Sequence, residues 1–591
     1  MQIACRFRGP PRVGAVVAFC TSRRDTPPVQ RPSLVTRIDV SDCSRSSSRN
    51  ERWRRFAIGA EPLTEGGVHF RVWAPAAARV YVQLHGRRPK HYELSPEDGG
   101  YFSGVVPDAA PGMNYSYRLD DDPTDWPDPA SRYQPHGPEG TSQIVDPTTF
   151  TWHDQHWPGV EQRGQVLYEM HVGTFTQEGT WRAAAEQLLS LAEVGITAIE
   201  LMPVADFPGT YGWSYDTANL FAPCRLYGTP DDFRYFVDTA HTHGIAVLLD
   251  VVYNHLGTIG ERLLKAFAPN YFSTKHTTEW GAAVNFDDDA AEVRLFILEN
   301  VRYWIQEFHL DGYRIDATQA LFDDSPRHIM LDICRVARAA APDRKVLILA
   351  ENEPQRSRLM RSGSEGGFEF DGVWNDDFHH SALVRLTGQR EAYYTDYRGT
   401  PEEFIASFKW GYLYQGQRYS WQRQPRGTPA IDIDAWRFVN YLENHDQLAN
   451  TATGQRVHQR TSPGLYRTLT ALLCLAPQTP LLFQGQEYGA TTPFLYFNDC
   501  RPEDRECVRR GRAGFLSQFP SLATPTMQAQ LTDPCQRSTF ERSRLDHRER
   551  ERHAAMFALH RDLLRLRRED PVLSRQNARE IEASTISAES F

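Results

Sequence analysis

The chain has 591 residues, 40% hydrophobic and 24% charged, with a formal net charge of −10. This length exceeds what one core can organise and predicts two to four domains. No basic patch in the body of the chain points to a nucleic-acid partner, and no apolar run approaches the roughly 20 residues of a membrane helix.

Residues 1–52 are Arg-rich and free of Lys, hold three of the nine Cys, and include the Ser-rich stretch Ser44–Arg49. An apolar run, Val13 to Cys20, sits behind Arg6, Arg8 and Arg12 without a small-x-small cleavage site. A targeting peptide, a disordered tail and sequence upstream of the true start all fit, and the composition favours the last two. Across the whole chain the Cys are odd in number and lack CxxC or zinc-ligand spacing, so they read as reduced thiols of a cytoplasmic protein. No metal site and no cofactor is expected.

From residue 53 to about 148 the pattern changes to short alternating runs between Gly, Pro and Asp turns. Val68–Trp73, Val80–Leu84, Tyr101–Val106 and Tyr115–Leu119 are strand-like at hairpin spacing, which predicts a small immunoglobulin-like β-sandwich. From residue 149 to about 550, apolar strand runs alternate with amphipathic helix runs. The strand candidates are Val166–Val172, Ile196–Val204, Ile245–Val252, Leu310–Ala317, Val346–Glu351, Gly372–Asp376, Phe438–Glu443 and Pro480–Gln484. Between the second and third, Thr229-Pro-Asp-Asp reads as a helix N-cap with Pro at the first position and acids in the first turn. Eight such repeats predict an α/β fold, a (β/α)8 barrel lengthened by loops. An open doubly wound sheet is the alternative, but no Gly-rich phosphate loop follows the first strand. Residues 551–591 hold a strong helix, Ala554–Arg567, and a short tail.

The stretch Asp311-Gly-Tyr-Arg-Ile-Asp-Ala-Thr318 closes the fourth strand run. Side chains alternate along a strand, so Arg314 and Asp316 point to the same side. The Arg would keep the Asp ionised against the upward pull of burial. A structural ion pair would look the same in isolation. In a barrel, however, the C-terminal strand ends form the active face. Those ends also supply Asp250-Val-Val-Tyr-Asn-His255, Glu351 and Asn444-His-Asp446. Carboxylates from several strands on one rim, without metal-ligand spacing, point to glycosidic bond chemistry. The 13 Trp and 25 Tyr supply flat faces suited to sugar rings.

These four segments resemble, in order and position, the signature regions of the α-amylase superfamily of glycoside hydrolases. The resemblance implies a retaining double displacement. In it Asp316 is the nucleophile, Glu351 the general acid/base and Asp446 the carboxylate that grips sugar hydroxyls. Arg314 orients Asp316, and His255 and His445 hydrogen-bond the sugar. Asp250 and Asn254 support the site structurally. In Gly212-Trp-Ser-Tyr215-Asp216, Tyr215 matches the aromatic platform for that sugar.

A narrower resemblance runs from about Phe56 to Leu573. It rests on Trp374-Asn-Asp-Asp-Phe-His-His380, Asp323-Asp-Ser-Pro-Arg-His328, Thr492-Pro-Phe-Leu-Tyr-Phe497 and Thr539-Phe-Glu-Arg-Ser543. These are similar to the malto-oligosyltrehalose trehalohydrolases, which cleave the α-1,4 bond beside a terminal trehalose. The resemblance implies malto-oligosyltrehalose as substrate, with Asp376, Asp377, His379 and His380 helping to bind the leaving trehalose. It also implies a C-terminal β-domain, which the short tail leaves truncated. Gln319 and Pro354 depart from the branch pattern. A glycogen branching or debranching enzyme shares the sandwich, barrel and four regions. A catalytically silent glycan-binding relative would normally lack one of Asp316, Glu351 and Asp446. The oligomeric state is not legible in the sequence.

Overall fold

The computed structural model describes residues 54–287 and 290–591; the leader expected over residues 1–52 lies outside the described residues. The N-terminal sandwich has two four-stranded antiparallel sheets. One runs in the order Gly59–Pro62, Val68–Trp73, Tyr101–Val106, Ser95–Pro96, and the other Lys90–Glu93, Val80–His85, Asn114–Leu119, Ser142–Gln143. Val68, Phe70, Val72, Val80, Val82 and Tyr115 fill the space between them. Val68–Trp73 is buried at five of its six positions rather than alternately. Its second face is covered too: Trp73 meets Tyr271 of the barrel edge-on at 5.1 Å, and the Tyr101 hydroxyl donates to Glu292.

The eight predicted strand runs all form, and they close into one parallel barrel. In chain order they are β1 (Leu167–Met170), β2 (Ala198–Leu201), β3 (Ala246–Val251), β4 (Gly312–Ile315), β5 (Leu347–Ala350), β6 (Gly372–Trp374), β7 (Phe438–Tyr441) and β8 (Thr479–Phe483), with β8 paired to β1. Alternate residues serve two cores, which is why these strands read as unbroken apolar runs. Leu167, Ala198, Leu248, Leu349, Val439 and Leu481 pack inside the barrel. Tyr168, Ile199, Val247, Tyr313, Ile348 and Leu482 pack outward against the helices.

The helix Pro230–Thr242 starts as expected, in a capping box in which Asp232 N donates to Thr229 Oγ1 and Thr229 N to Asp232 Oδ2. Two elements differ from the simple repeat. Between β5 and β6 stand only short 3-10 turns, Ser357–Met360 and Gly363–Glu365. The C-terminal helix, Ala554–Glu569, lies against Leu188–Val194 and Pro463–Leu475 as a helix of the barrel wall. Arg567 fixes it there by donating to the carbonyls of Cys474 (3.1 Å) and Gln478 (2.6 Å). Among the described residues, no helix is long and apolar enough to cross a membrane.

Candidate active site

Strand β4 is anchored before it reaches the rim. Asp311 is fully buried and its carboxylate accepts from Trp157 Nε1, Arg344, His241 Nε2 and the amide of Val247, at 2.7–3.0 Å. Gly312 then approaches β5 so closely that a Cβ would lie 1.8 Å from the Leu347 carbonyl oxygen, with φ at +143°. Only glycine fits that approach. The strand so held delivers Arg314 and Asp316 to the rim on one side, as alternation requires.

Arg314, wholly buried, is the hub. Its Nη1 donates to both oxygens of Asp250 (2.8 and 2.7 Å) and to Asp316 Oδ1 (2.8 Å), and its Nη2 lies 3.0 Å from Glu351 Oε2. The guanidinium carbon sits 4.5 Å from the Trp374 ring centroid, so an aromatic face backs the cation. The second oxygen of Asp316 accepts from Asn254 Nδ2 at 3.0 Å. Asn254, expected only to support the site, therefore touches the carboxylate itself. Ala317 adopts φ +39°, a left-handed conformation uncommon outside glycine, and this aims its amide at Glu351 Oε2 (2.9 Å).

The acids differ in charge state. Burial pushes the Glu351 carboxyl up to about 8, reinforced by Asp316 and Asp446 and opposed by Arg314. For Asp446 the cleft walls also push upward, but the His445 imidazolium outweighs them and the carboxyl lies below its ordinary value. Burial works against charge on His445, yet Asp446 and Glu169 hold its pKa well above the usual. Burial raises Asp250 to about 6 despite Arg314. The rim thus sets one carboxyl that keeps its proton at neutral pH beside others that meet cations or amides, the division of labour that acid-assisted glycoside cleavage needs.

Tyr215 stacks on His445 at 5.2 Å and 17°, and its hydroxyl donates to Asp250 Oδ2 at 2.6 Å. His445 takes its orientation from β1: Glu169 accepts both from its ring Nδ1 and from its amide (3.1 Å). His255 is buried, its Nδ1 against Asn254 Oδ1, with burial lowering its pKa. Its ring lies parallel to that of Trp280, which is 53% exposed, at 5.4 Å. The residues singled out on β3, β4, β5 and β7 thus meet in one place.

The β6 group divides. Asp376 Oδ1 accepts from Tyr441 OH (2.5 Å) and Oδ2 from Arg426 (3.3 Å). Asp377 is wholly buried and turned to Tyr397 OH (2.5 Å) and the Tyr414 amide (2.8 Å). His379 and His380 are buried among Tyr393, Tyr394, Tyr397 and Tyr441, and burial lowers His379 to about 3 and His380 well below its ordinary value. These three stand behind the cleft wall. The group that faces outward there is Glu353, 38% exposed, which accepts from Gln422 Nε2 (2.6 Å) and from Arg426.

Sequence reasoning passed over Glu169, Trp280, Glu353 and Arg426. Glu169 had a signal, a lone carboxylate inside the apolar run of β1. Arg426 had none, because its partners are more than 40 residues away in the chain. Among the described residues, His276, Asp287 and Asp324 could together hold a cation, their ligand atoms lying within 4.8 Å of one another, but Lys275 already pairs with Asp287 at 3.0 Å.

A closed parallel barrel whose rim joins an Arg-held aspartate, a proton-bearing glutamate and a third carboxylate defines a glycoside hydrolase of the α-amylase class. Residues 159–281 match the model of the alpha amylase catalytic domain, and residues 57–147 match carbohydrate-binding module 48, the isoamylase N-terminal domain. The chain is 39% identical to the malto-oligosyltrehalose trehalohydrolase of Deinococcus radiodurans, over 90% of this chain and 86% of that one. It is 40% identical to the enzyme of that name from Saccharolobus solfataricus, over 86% of each. Among solved structures, a Salmonella typhimurium protein assigned as an alpha amylase superposes with a TM-score of 0.82 at 38% identity, covering 88% of each chain. The chain belongs to the malto-oligosyltrehalose trehalohydrolase family.

Proposed function

We propose that this chain is a retaining glycoside hydrolase that cleaves the α-1,4-glucosidic bond beside the terminal trehalose of malto-oligosyltrehalose and releases trehalose. Glu351 gives its proton to the glucosidic oxygen while an Asp316 oxygen attacks the anomeric carbon. The carbon–oxygen bond to trehalose breaks and a glucosyl ester forms on Asp316. Glu351, now a carboxylate, takes a proton from water, whose oxygen displaces Asp316 and regenerates both groups. Asp446, His445 and His255 hold hydroxyls of the sugar at the reacting carbon, and Tyr215 gives that ring a flat wall. Asp376 and Glu353 are the groups at hand for the leaving trehalose, with Asp377, His379 and His380 supporting them from behind.

The observation that carries this reading is the single guanidinium of Arg314 bonded to Asp316 and 3.0 Å from Glu351. Adjacent nitrogens of one group keep the two carboxyls close, which supports direct attack; a water-mediated inverting pair needs the wider gap of about 6.5–9.5 Å. A cytoplasmic setting fits the six thiols of the described residues, none of which is in a disulfide. The test compares kcat/KM on maltotriosyltrehalose and maltopentaose, which have equal sugar counts, and identifies the disaccharide released. At least ~10-fold preference for the first, with trehalose as product, is expected, since one committed hydrogen bond left unpaired is worth roughly 1–3 kcal/mol. Equal values, release of maltose, or branching of glycogen would overturn the reading.

A further inference from the structure

Beyond β8 the chain leaves the barrel wall, makes a long excursion, and returns beside its point of departure. The neck of this excursion is narrow. Asn498 N donates to the Pro534 carbonyl at 3.0 Å, and beside this bond the sulfurs of Cys500 and Cys535 touch at 3.1 Å. Between them, over residues 501–534, only Leu516, Phe519 and, beside the neck itself, Pro534 are buried. A loop with so few apolar anchors depends on its ends for stability.

The excursion also reaches the candidate active site. Its helix Arg505–Leu516 carries Arg512, which donates to the Ala449 carbonyl (2.7 Å) and to Asn450 Oδ1 (3.1 Å) and lies 5.0 Å from the Tyr496 ring. Ala449 ends the short helix that begins with His445 and Asp446. The neck is tied to the sugar-stacking loop as well, for Tyr211 OH donates to the Cys535 carbonyl at 2.9 Å and Asp499 N to the Tyr211 carbonyl at 2.9 Å. Of the other described cysteines, Cys224, Cys334 and Cys474 are buried and Cys507 is exposed on the excursion's own helix.

We infer that Cys500 and Cys535 are a reversible disulfide-forming pair that locks the neck of the 501–534 excursion and holds Arg512 against the Asp446 rim. The oxidant is a low-molecular-weight disulfide. Cys500, the more exposed thiol, loses its proton to solvent and attacks one sulfur of that disulfide, whose bond breaks and whose other half leaves as a thiol after taking up a proton. Cys535 then attacks the Cys500 sulfur, loses its proton, and expels the second half. Two cysteine thiols are oxidised and one external disulfide is reduced to two thiols. Burial pushes Cys535 up to about 12 and raises Cys500, so the exchange runs slowly at neutral pH and accelerates in base.

The test uses the full chain, fully reduced and then equilibrated with oxidised glutathione at pH 8. Expected are one cross-linked peptide pair joining 500 to 535 on non-reducing mass mapping, with the thiols of those two residues lost, and the same result in Cys507→Ser. The cross-linked form should melt about 2–6 °C higher and be cut by trypsin within 501–533 at least ~3-fold more slowly, both reversed by dithiothreitol. A cross-link to Cys507, glutathione adducts without a cross-link, or an oxidised chain with unchanged melting and proteolysis would overturn the proposal. The mapping needs no variant at the buried Cys535, so misfolding of a substituted neck does not cloud it. Activity on malto-oligosyltrehalose plays no part in the readout, which keeps this test separate from that of the proposed function.

Discussion

The rim at β4, β5 and β7 and the rim at β6 look alike in sequence, each a short apolar run ending in carboxylates and histidines, yet they are built oppositely. On the first, Asp316 and Glu351 follow directly on the ends of β4 and β5 and Asp446 stands in the short helix His445–Ala449 after β7, with side chains still partly exposed, at 12%, 25% and 43%. On the second, the charged residues fall within the first turns of the helix Asp376–Thr387, which rotates about 100° per residue. Asp376 stays at the surface of the cleft while Asp377, His379 and His380 turn into the wall. What separates the two rims is where each carboxyl ends up: Asp446 also stands in the first turn of a short helix, yet its side chain stays open at the rim, whereas Asp377 is wholly buried.

The largest effect should come from the strand-end group. Asp316→Asn keeps the hydrogen bond to Arg314 as an amide oxygen but cannot form the glucosyl ester. A loss of at least ~10³-fold in kcat is expected, with an unchanged melting temperature. Near-wild-type turnover in a preparation free of contaminating enzyme would end the assignment of Asp316.

Glu351 comes next and can be read through pH. Its carboxyl is held up to about 8 by burial first, then by Asp316 and Asp446, so the proton needed for the first step is present at neutrality and lost above that value. The pH profile of kcat/KM should therefore fall on its alkaline side near pH 8. In Glu351→Gln the alkaline limb should vanish together with most activity on natural glucosides. A substrate whose leaving group needs no proton should be spared in its first step. Equal slowing on both substrates, or an alkaline limb that survives the substitution, would give the proton to another group.

The wall behind β6 should respond in the opposite currency, stability rather than rate. Asp377→Ala removes the acceptor for Tyr397 OH and the Tyr414 amide and one of the carboxylates around the buried Arg426. Leaving such groups unpaired costs roughly 2–4 kcal/mol. Denaturant titration should register that loss, while kcat/KM of the folded fraction stays within about threefold. A variant of native stability that loses trehalose selectivity would make Asp377 a binding residue and erase the contrast between the two rims.

That contrast also marks where the sequence stops being legible. All eight strands could be read because strands buried on both faces are unbroken apolar runs. Asp316 and Glu351 could be read because each interrupts such a run at its C-terminal end, and Asp446 because it follows closely on the run of β7. The wall helix Ala554–Glu569 was legible as a helix, but its place beside Leu188–Val194 depends on contacts across more than 350 residues. Arg426 is harder still. It comes from a loop with only two-residue strands, Arg418–Tyr419 and Gln424–Pro425, so no periodicity announces it. Without it, nothing says that Asp376, Asp377 and Glu353 share one cation. Local pattern gives the direction of a strand's side chains, whereas the facing of a helix's first turn is decided by whatever distant segment packs on it.

The smallest expected effect lies at the edge of the first rim, where Trp280 sits on the turn between the strands Phe272–Thr277 and Ala282–Val284. Thr278 shapes this turn: its amide donates to the Gly281 carbonyl at 2.9 Å, and its Oγ1 accepts from Trp280 N at 3.1 Å. One face of the indole lies on His255, and about half of the residue remains open to solvent, at 53%. On the proposed function, in which His255 holds a sugar hydroxyl, an exposed indole held parallel to that histidine would offer the next glucose of the maltooligosaccharide a stacking surface. Such a contact is worth about 0.5–1.5 kcal/mol, or roughly two- to twelve-fold in affinity. Trp280→Ala should therefore raise KM by that factor on maltopentaosyltrehalose, change kcat by less than about twofold, and leave trehalose as the product. Trp280→Phe should recover most of the loss, because a smaller ring still stacks. If instead kcat fell with both substitutions while KM held, Trp280 would serve only to prop His255, and the open face would have no part in binding.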